Sequence, residues 1–265
     1  MENSIKCMFP RRVDSELVSR LPIVKCPHEI TLIELPEQVD EALDEIQQES
    51  LLGFDTETRP SFSKNLHYKV SVLQLCGKNK AWIFRLIPLE ERIVDIYKIL
   101  ENQDIKKVGL AVQGDIKALS QRRTFQPNSF IDVSRYSSGM GIINTGMKNL
   151  AALFLGVRVS KSSQMSNWEA EELTQKQIDY AATDAWISRL LYLEVKKVID
   201  ENNYEVEPEP EPVPEPLSFS KIFNLFCNEV KSAYISLKKK LKKLFHKKPP
   251  KKKKRRKKRA KKKNI

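Results

Sequence analysis

The sequence predicts an α/β fold: a mixed five-stranded sheet flanked by helices, then a basic amphipathic helix and a disordered polybasic tail. Three observations predict it. Between residues 29 and 200, short apolar runs alternate with stretches of helical periodicity, the pattern of a sheet covered by helices. A Glu-Pro run closes that stretch. Beyond it the composition changes: residues 217–265 hold 21 of the chain's 47 Lys and Arg but one acid, Glu229.

The elements follow in order. Residues 1–28 read as an irregular N-terminal extension. Residues 29–35 (EITLIEL) read as a strand, and 36–49 as a helix opened by Pro36 with Val39, Leu43 and Ile46 on one side. Strands follow at 51–56 (LLGFDT), 70–75 (VSVLQL) and 81–84, the last two separated by the turn-like GKNK. Residues 87–100 are helical in pattern, 107–112 (KVGLAV) a strand, and 115–120 the opening of another helix. Two further helices read over 147–155 and 174–199. The folded body is thus expected at 29–200. Residues 201–216 form a spacer. Its EPEPEPVPEP core cannot hold a helix ladder, because each Pro lacks an N–H and pushes its predecessor to extended conformations.

Charge separates two objects. The net charge is +13, yet residues 1–216 carry 26 basic and 33 acidic residues. A mildly acidic body precedes a strongly basic tail. The four cysteines form no CxxC pair, and with three histidines no zinc cluster is expected. No apolar leader opens the chain, and no run is long and apolar enough to span a membrane. A reducing compartment is expected: cytoplasmic or nucleoid-associated in a bacterium, nuclear in a eukaryote.

Three motifs carry chemistry. Asp55 and Glu57 end an apolar strand, and period-2 geometry puts both carboxylates on one face. Such a pair repels itself unless water or a cation relieves it. Asp115 follows the strand 107–112 at the mouth of a helix. Tyr180 and Asp184, four apart, share one face of the last helix among small residues Ala181, Ala182 and Ala185. Each motif alone also fits a bland reading: a solvated strand end, a helix N-cap, a half-buried tyrosine. Their order and their elements make the case together.

The set GFDTET, VGLAVQGD and YAATD resembles the DEDDy-type 3′→5′ exonucleases of the ribonuclease H-like superfamily, and is most similar to the Werner-syndrome type. Ribonuclease D and polymerase proofreading domains are more distant. The resemblance covers about residues 30–198. It includes Val72-Leu73-Gln74-Leu75, Ile131-Asp132-Val133 and Ser166-Asn167-Trp168. The subtype rests on Tyr180 four residues before Asp184; the sister subtype has His five before, where this chain has Asp179. Gln113-Gly114 departs from the lead-in that many members carry.

The resemblance implies roles. Asp55, Glu57, Asp115 and Asp184 would hold two divalent ions, Mg²⁺ or Mn²⁺, with Tyr180 orienting the attacking water. Glu57 and the Thr56 backbone would grip the terminal 3′-OH. Leu73 and Trp168 would stack on or wedge beside terminal bases, although Leu73 also fits the core. Asp132 fits an outer acid or a cap. Lys148, Lys161 and Arg59 fit phosphate contacts or solvated charges. DNA is the favoured substrate. The alternatives are a ribonuclease D-like RNA trimmer and a non-catalytic nucleic-acid-binding module.

Residues 217–246 read as a basic amphipathic helix, with Phe219, Phe223, Phe226, Val230, Leu237 and Leu241 along one stripe. It suits packing, self-association or an anionic membrane surface. Residues 247–265 bury nothing and repel themselves, so they are expected to be disordered and to bind nucleic acid without regard to sequence. A nuclear-import signal is the rival reading. No protein partner is identifiable.

Overall fold

The computed structural model describes residues 6–63, 66–202, 204–208 and residues 232, 235, 236, 238 and 239. The chain divides into two units, Met1–Glu209 and Pro210–Ile265. In the second unit the five described residues are helical and exposed. Most of the spacer, most of the predicted amphipathic helix and the whole polybasic tail lie outside the described residues.

The first unit holds strands β1 (Cys7–Phe9), β2 (Glu29–Ile33), β3 (Leu51–Glu57), β4 (Val72–Cys76), β5 (Lys80–Arg85), β6 (Lys106–Gly109), β7 (Phe130–Asp132) and β8 (Tyr204–Val206). Its α-helices are α1 (Ser15–Arg20), α2 (Val39–Ile46), α3 (Ile93–Glu101), α4 (Gln113–Arg122), α5 (Val133–Gly139), α6 (Met147–Leu150) and α7 (Gln175–Glu201). The main sheet runs β2-β5-β4-β3-β6-β7. It is mixed: β4 is antiparallel to both β3 and β5, and the other pairings are parallel. The sheet therefore has six strands, not the five expected. The addition is β7, whose three residues are too short to show a period.

Helices cover both faces. Leu52, Phe54, Leu75, Trp82 and Phe84 join α2, α3 and α4 in one core. Val72, Cys76, Ala81 and Ile83 meet Ala181, Ala182 and Ala185 of α7 on the other side. Every residue of β4 is buried, as befits a central strand covered twice. Because side chains alternate along β3, Leu52 and Phe54 point into the first core, and Gly53, Asp55 and Glu57 point to the side of α7.

Gly53 is what lets α7 lie so close. A Cβ built there would stand 1.8 Å from the Ala185 carbonyl oxygen. Thr174 caps α7 in a reciprocal capping box with Gln177, and Asn202 ends it in a left-handed conformation. The predicted helix at 147–155 is α6 followed by a π turn over Ala151–Leu155, closed by left-handed Gly156. The predicted strand at 107–112 stops at Gly109. Ala111, at φ 55°, turns the chain into α4, and its N–H donates to the Asp132 carboxylate at 3.0 Å.

The lead-in is not irregular. β1 pairs in parallel with β8, Cys7 opposite Tyr204, so residues 204–206, read as spacer, form a strand. Local periodicity has no purchase on three-residue strands nearly two hundred positions apart. The Phe9 ring packs 5.0 Å from Phe154 and 6.4 Å from Tyr204. Phe9→Ala is expected to lower unfolding free energy by roughly 2 kcal/mol, less than a fully buried Phe because this ring is half-exposed. Urea denaturation with an unchanged midpoint would show that this clasp contributes nothing.

Candidate active site

Four acids reach one region from three elements. Asp55 and Glu57 lie at the end of β3, Asp115 in the first turn of α4, and Asp184 in the middle of α7. Asp184 is 6% exposed, and the other three are half-buried. Thr56 links two of the elements: its hydroxyl donates to Asp115 at 2.5 Å, and its N–H donates to Asp55 at 2.8 Å. Close contact between β3 and α7, permitted by Gly53 and Ala185, brings Asp184 beside Asp55. Gly109 works similarly at the neighbouring strand, where a Cβ would stand 2.7 Å from the Phe54 carbonyl oxygen.

Burial and mutual repulsion set the electrostatics. Burial pushes the Asp55 carboxyl well above the usual range, and the charges of Asp184 and Asp115 push it further. Glu57 rises to about 9 for the same first reason, helped by Asp55, Asp184 and Asp115. Burial lifts Asp184 to about 7 against the hydrogen bond from Tyr180. It lifts Asp115 against the bond from Thr56. Tyr180 is pushed up by burial and then by the surrounding acids, so it stays a neutral phenol. None of the four acids has an ion-pair partner among the described residues.

Asp55, Thr56, Glu57, Tyr180 and Asp184 line a cleft of about 600 Å³, joined there by Lys148 and Lys161. Asp115 is not in the lining and joins the cluster through Thr56. Arg59 is engaged elsewhere, 3.4 Å from Glu169 and stacked 4.6 Å over the Tyr68 ring. Asp132 is a cap: its carboxylate accepts from Ser134 N–H and Ala111 N–H, both at 3.0 Å.

Two expected base contacts do not hold. Leu73 is 0% exposed and sits in the core with α2 and α3, on the face of the sheet away from Asp55. One residue of strand period decides this. Trp168 is 1% exposed, with its ring 6.1 Å from that of Tyr180. It backs the tyrosine instead of facing the cleft.

Gln74 lies in the strand that the pattern predicts at 70–75. It stands directly across from Asp55, fully buried, and neither of its amide atoms has a partner among the described residues. No sequence signal marks it, because its partner strand is known only from the register.

A family model described as 3′-5′ exonuclease matches residues 30–200. The chain belongs to the 3′–5′ exonuclease family. Among its relatives, the bifunctional 3′-5′ exonuclease/ATP-dependent helicase WRN of Mus musculus is 28% identical over 155 residues. That match covers 57% of this chain and 11% of the relative, so the chain spans a small part of that protein. The EXO domain of Aedes aegypti Nibbler superposes with a TM-score of 0.58 at 21% identity, covering 67% of this chain and 91% of that one. Trypanosoma brucei RNase D in complex with RNA U12 gives 0.59 at 16%, covering 76% and 77%. At these identities the two structures speak to the fold, which is ribonuclease H-like.

The exonuclease family generally uses divalent metal ions. Among the described residues no three acidic, histidine or cysteine side chains are gathered tightly enough to hold an ion as they stand. The donor chemistry nonetheless fits a hard cation. Asp55, Glu57 and Asp184 line one cleft, Asp115 joins them through Thr56, and none of the four is ion-paired among the described residues.

Proposed function

We propose that the chain is a metal-dependent 3′→5′ exonuclease that hydrolyses phosphodiester bonds at the 3′ end of nucleic acid, DNA in the first reading. One observation carries the reading: four carboxylates, one buried and three half-buried, gather at one cleft, each lifted by burial, with Asp55 and Glu57 lifted further by the charges of the others. A protein with no use for them would relieve that repulsion by losing one.

Asp55, Glu57, Asp115 and Asp184 would hold two divalent ions, Mg²⁺ or Mn²⁺. Such ions supply positive charge beside the scissile phosphate and ease deprotonation of water near neutral pH. Tyr180 orients that water through its hydroxyl, which remains protonated and so acts as a hydrogen-bonding guide rather than a base. Water oxygen joins phosphorus, and the 3′-oxygen of the preceding nucleotide leaves and takes up a proton. The Glu57 side chain and the Thr56 backbone grip the terminal 3′-OH. Lys148 and Lys161 offset phosphate charge at the cleft wall.

RNA is the second reading, favoured by the structural likeness to an RNase D bound to RNA. End-labelled DNA and RNA of one sequence, incubated with Mg²⁺ or Mn²⁺, should separate the two. Stepwise shortening from the 3′ end is expected, stopped by chelator and by Asp55→Ala with Asp184→Ala. No metal-dependent shortening of either polymer would sink the reading. Tyr180→Phe is expected to lower kcat by roughly 10²-fold with little change in KM, the lower end for a group guiding proton transfer. Wild-type kcat in that variant would remove Tyr180 from the mechanism.

A further inference from the structure

Gln74 is a buried amide in a wall of apolar side chains. Strand alternation points it to the α7 side of the sheet, between Val72 and Cys76 along β4 and beside Ile83 of β5. Those three pack with Ala181, Ala182 and Ala185 of α7. Gln74 is 0% exposed, and neither its Nε2 nor its Oε1 has a hydrogen-bond partner among the described residues. Packing does not call for an amide there. Methionine has nearly the same length and shape, and would bury no unpaired amide.

The register supplies a reason for the amide. Gln74 pairs with Asp55, and residues directly opposite in an antiparallel pair project on one face with Cβ atoms about 5 Å apart. Val72 pairs with Glu57 and Cys76 with Gly53, so the diagonal neighbours on β3 are a second acid and a residue without a side chain. Asp55 is therefore the polar side chain set directly opposite the amide. Its Oδ1 accepts from the Thr56 N–H at 2.8 Å, and its Oδ2 has no hydrogen bond among the described residues. We propose that Gln74 is a positioning residue for Asp55: its amide donates to Oδ2 when Asp55 holds a divalent ion, and so sets the angle at which the carboxylate meets that ion. The inference rests on the exonuclease reading of the cleft.

The bond needs no movement of backbone, because the strand ladder already holds the two residues opposite each other. It needs rotation of side chains, and the terminal torsions of Gln and Asp are soft. Once formed, it holds one carboxylate oxygen while the Thr56 N–H holds the other. A carboxylate fixed at both oxygens cannot swing out of the cleft, and metal ligands tied by outer hydrogen bonds bind their ions more tightly. The surrounding apolar layer excludes water, which strengthens the bond. An amide also carries no charge. It orients Asp55 without competing with the ion, as a lysine at that place would.

Mn²⁺ binding to the full chain, followed by electron paramagnetic resonance of the free ion, reads this role without substrate. Gln74→Met should weaken binding by about tenfold, the low end for removal of a group that orients a metal ligand. Its melting temperature in chelator should equal or exceed that of wild type, since an unpaired amide leaves the core. Gln74→Leu should behave alike, which guards against a packing fault peculiar to Met. Cleavage at limiting Mn²⁺ should fall with the affinity and return at saturating Mn²⁺, with KM for the strand unchanged. In an Asp55→Ala background, Gln74→Met should cost less than about twofold in Mn²⁺ affinity, because the residue it acts through is gone. Wild-type Mn²⁺ affinity in both single variants would overturn the assignment. So would an undiminished loss, again about tenfold, in the Asp55→Ala background. A lower melting temperature with unchanged affinity would also overturn it, being the mark of a residue that only packs. A wild type that neither binds Mn²⁺ nor cleaves would instead strike the exonuclease reading, and the assignment with it.

Discussion

Asp184→Asn is expected to abolish cleavage and, in chelator at alkaline pH, to raise the melting temperature. The two effects have one cause. Asp184 is buried at 6% exposure, and its carboxyl is lifted from 3.8 to about 7. Between those values the folded protein keeps a proton that the unfolded chain releases. Stability is therefore full below about pH 4 and is lost as pH rises through about 7. Glu57, lifted to about 9, extends the decline further up. Above pH 8 the ionised, buried Asp184 burdens the fold by an amount on the order of a few kcal/mol. Asn has the same shape, still meets the Tyr180 hydroxyl, and carries no charge.

The same change removes a metal-holding oxygen. Loss of charge stabilisation of several kcal/mol corresponds to a fall in kcat of about 10³-fold or more. Thermal melts in chelator at pH 5 and pH 8.5 check the first half. The variant should melt higher than wild type at pH 8.5, with the gap narrowing at pH 5. A variant less stable at pH 8.5, or one cleaving at the wild-type rate, would contradict the arrangement of the site. In wild type, added Mg²⁺ should raise the melting temperature more at pH 8.5 than at pH 5, because ionised carboxylates bind it and protonated ones do not.

Gly53→Ala should break the fold and the site together. The new Cβ would stand 1.8 Å from the Ala185 carbonyl oxygen, 2.9 Å from its carbon and 3.0 Å from the Arg189 Cβ. Backbone cannot rotate aside as a flexible side chain can, so α7 must lift from β3. The loss should reach the upper end of the roughly 1–3 kcal/mol typical of overpacking, or exceed it. Any protein that still folds would carry Asp184 displaced from Asp55, with metal-dependent cleavage lost. Gly114→Ala is the control. A Cβ at Gly114 meets nothing within 4 Å, and the residue lies inside α4, so stability should rise by about 0.5–1 kcal/mol. Denaturant midpoints and cleavage rates of the pair test this; wild-type behaviour of Gly53→Ala would refute the close approach.

Much of the site was legible because its acids lie in patterns that survive without a structure. Asp55 and Glu57 are set on one face by strand period, and Tyr180 and Asp184 by helical spacing. The long helix announced itself through its periodicity over 174–199, and α7 runs over Gln175–Glu201. Short elements were not legible. β1, β7 and β8 have three residues each, and their partners are chosen by contacts far along the chain. The sheet's sixth strand and the pairing of β1 with β8 come from such contacts.

Leu73 and Trp168 show the other limit. A sequence can mark an apolar residue near a site, but whether it faces the cleft or the core depends on which side the neighbouring helix covers. Leu73 took the core because α2 and α3 cover its face, and Trp168 went behind Tyr180. Motif order and spacing were enough for the family and the mixed α/β fold, and strand and helix periods put Asp55 with Glu57, and Tyr180 with Asp184, on shared faces. Packing alone sets the rest: Thr56 ties Asp115 to β3, Gly53 seats α7, Gln74 stands across from Asp55, and the Cys26 N–H fastens the N-terminal segment to the Thr183 hydroxyl of α7. Each of these depends on contact between segments distant in the chain, and packing, not spacing, selects those contacts.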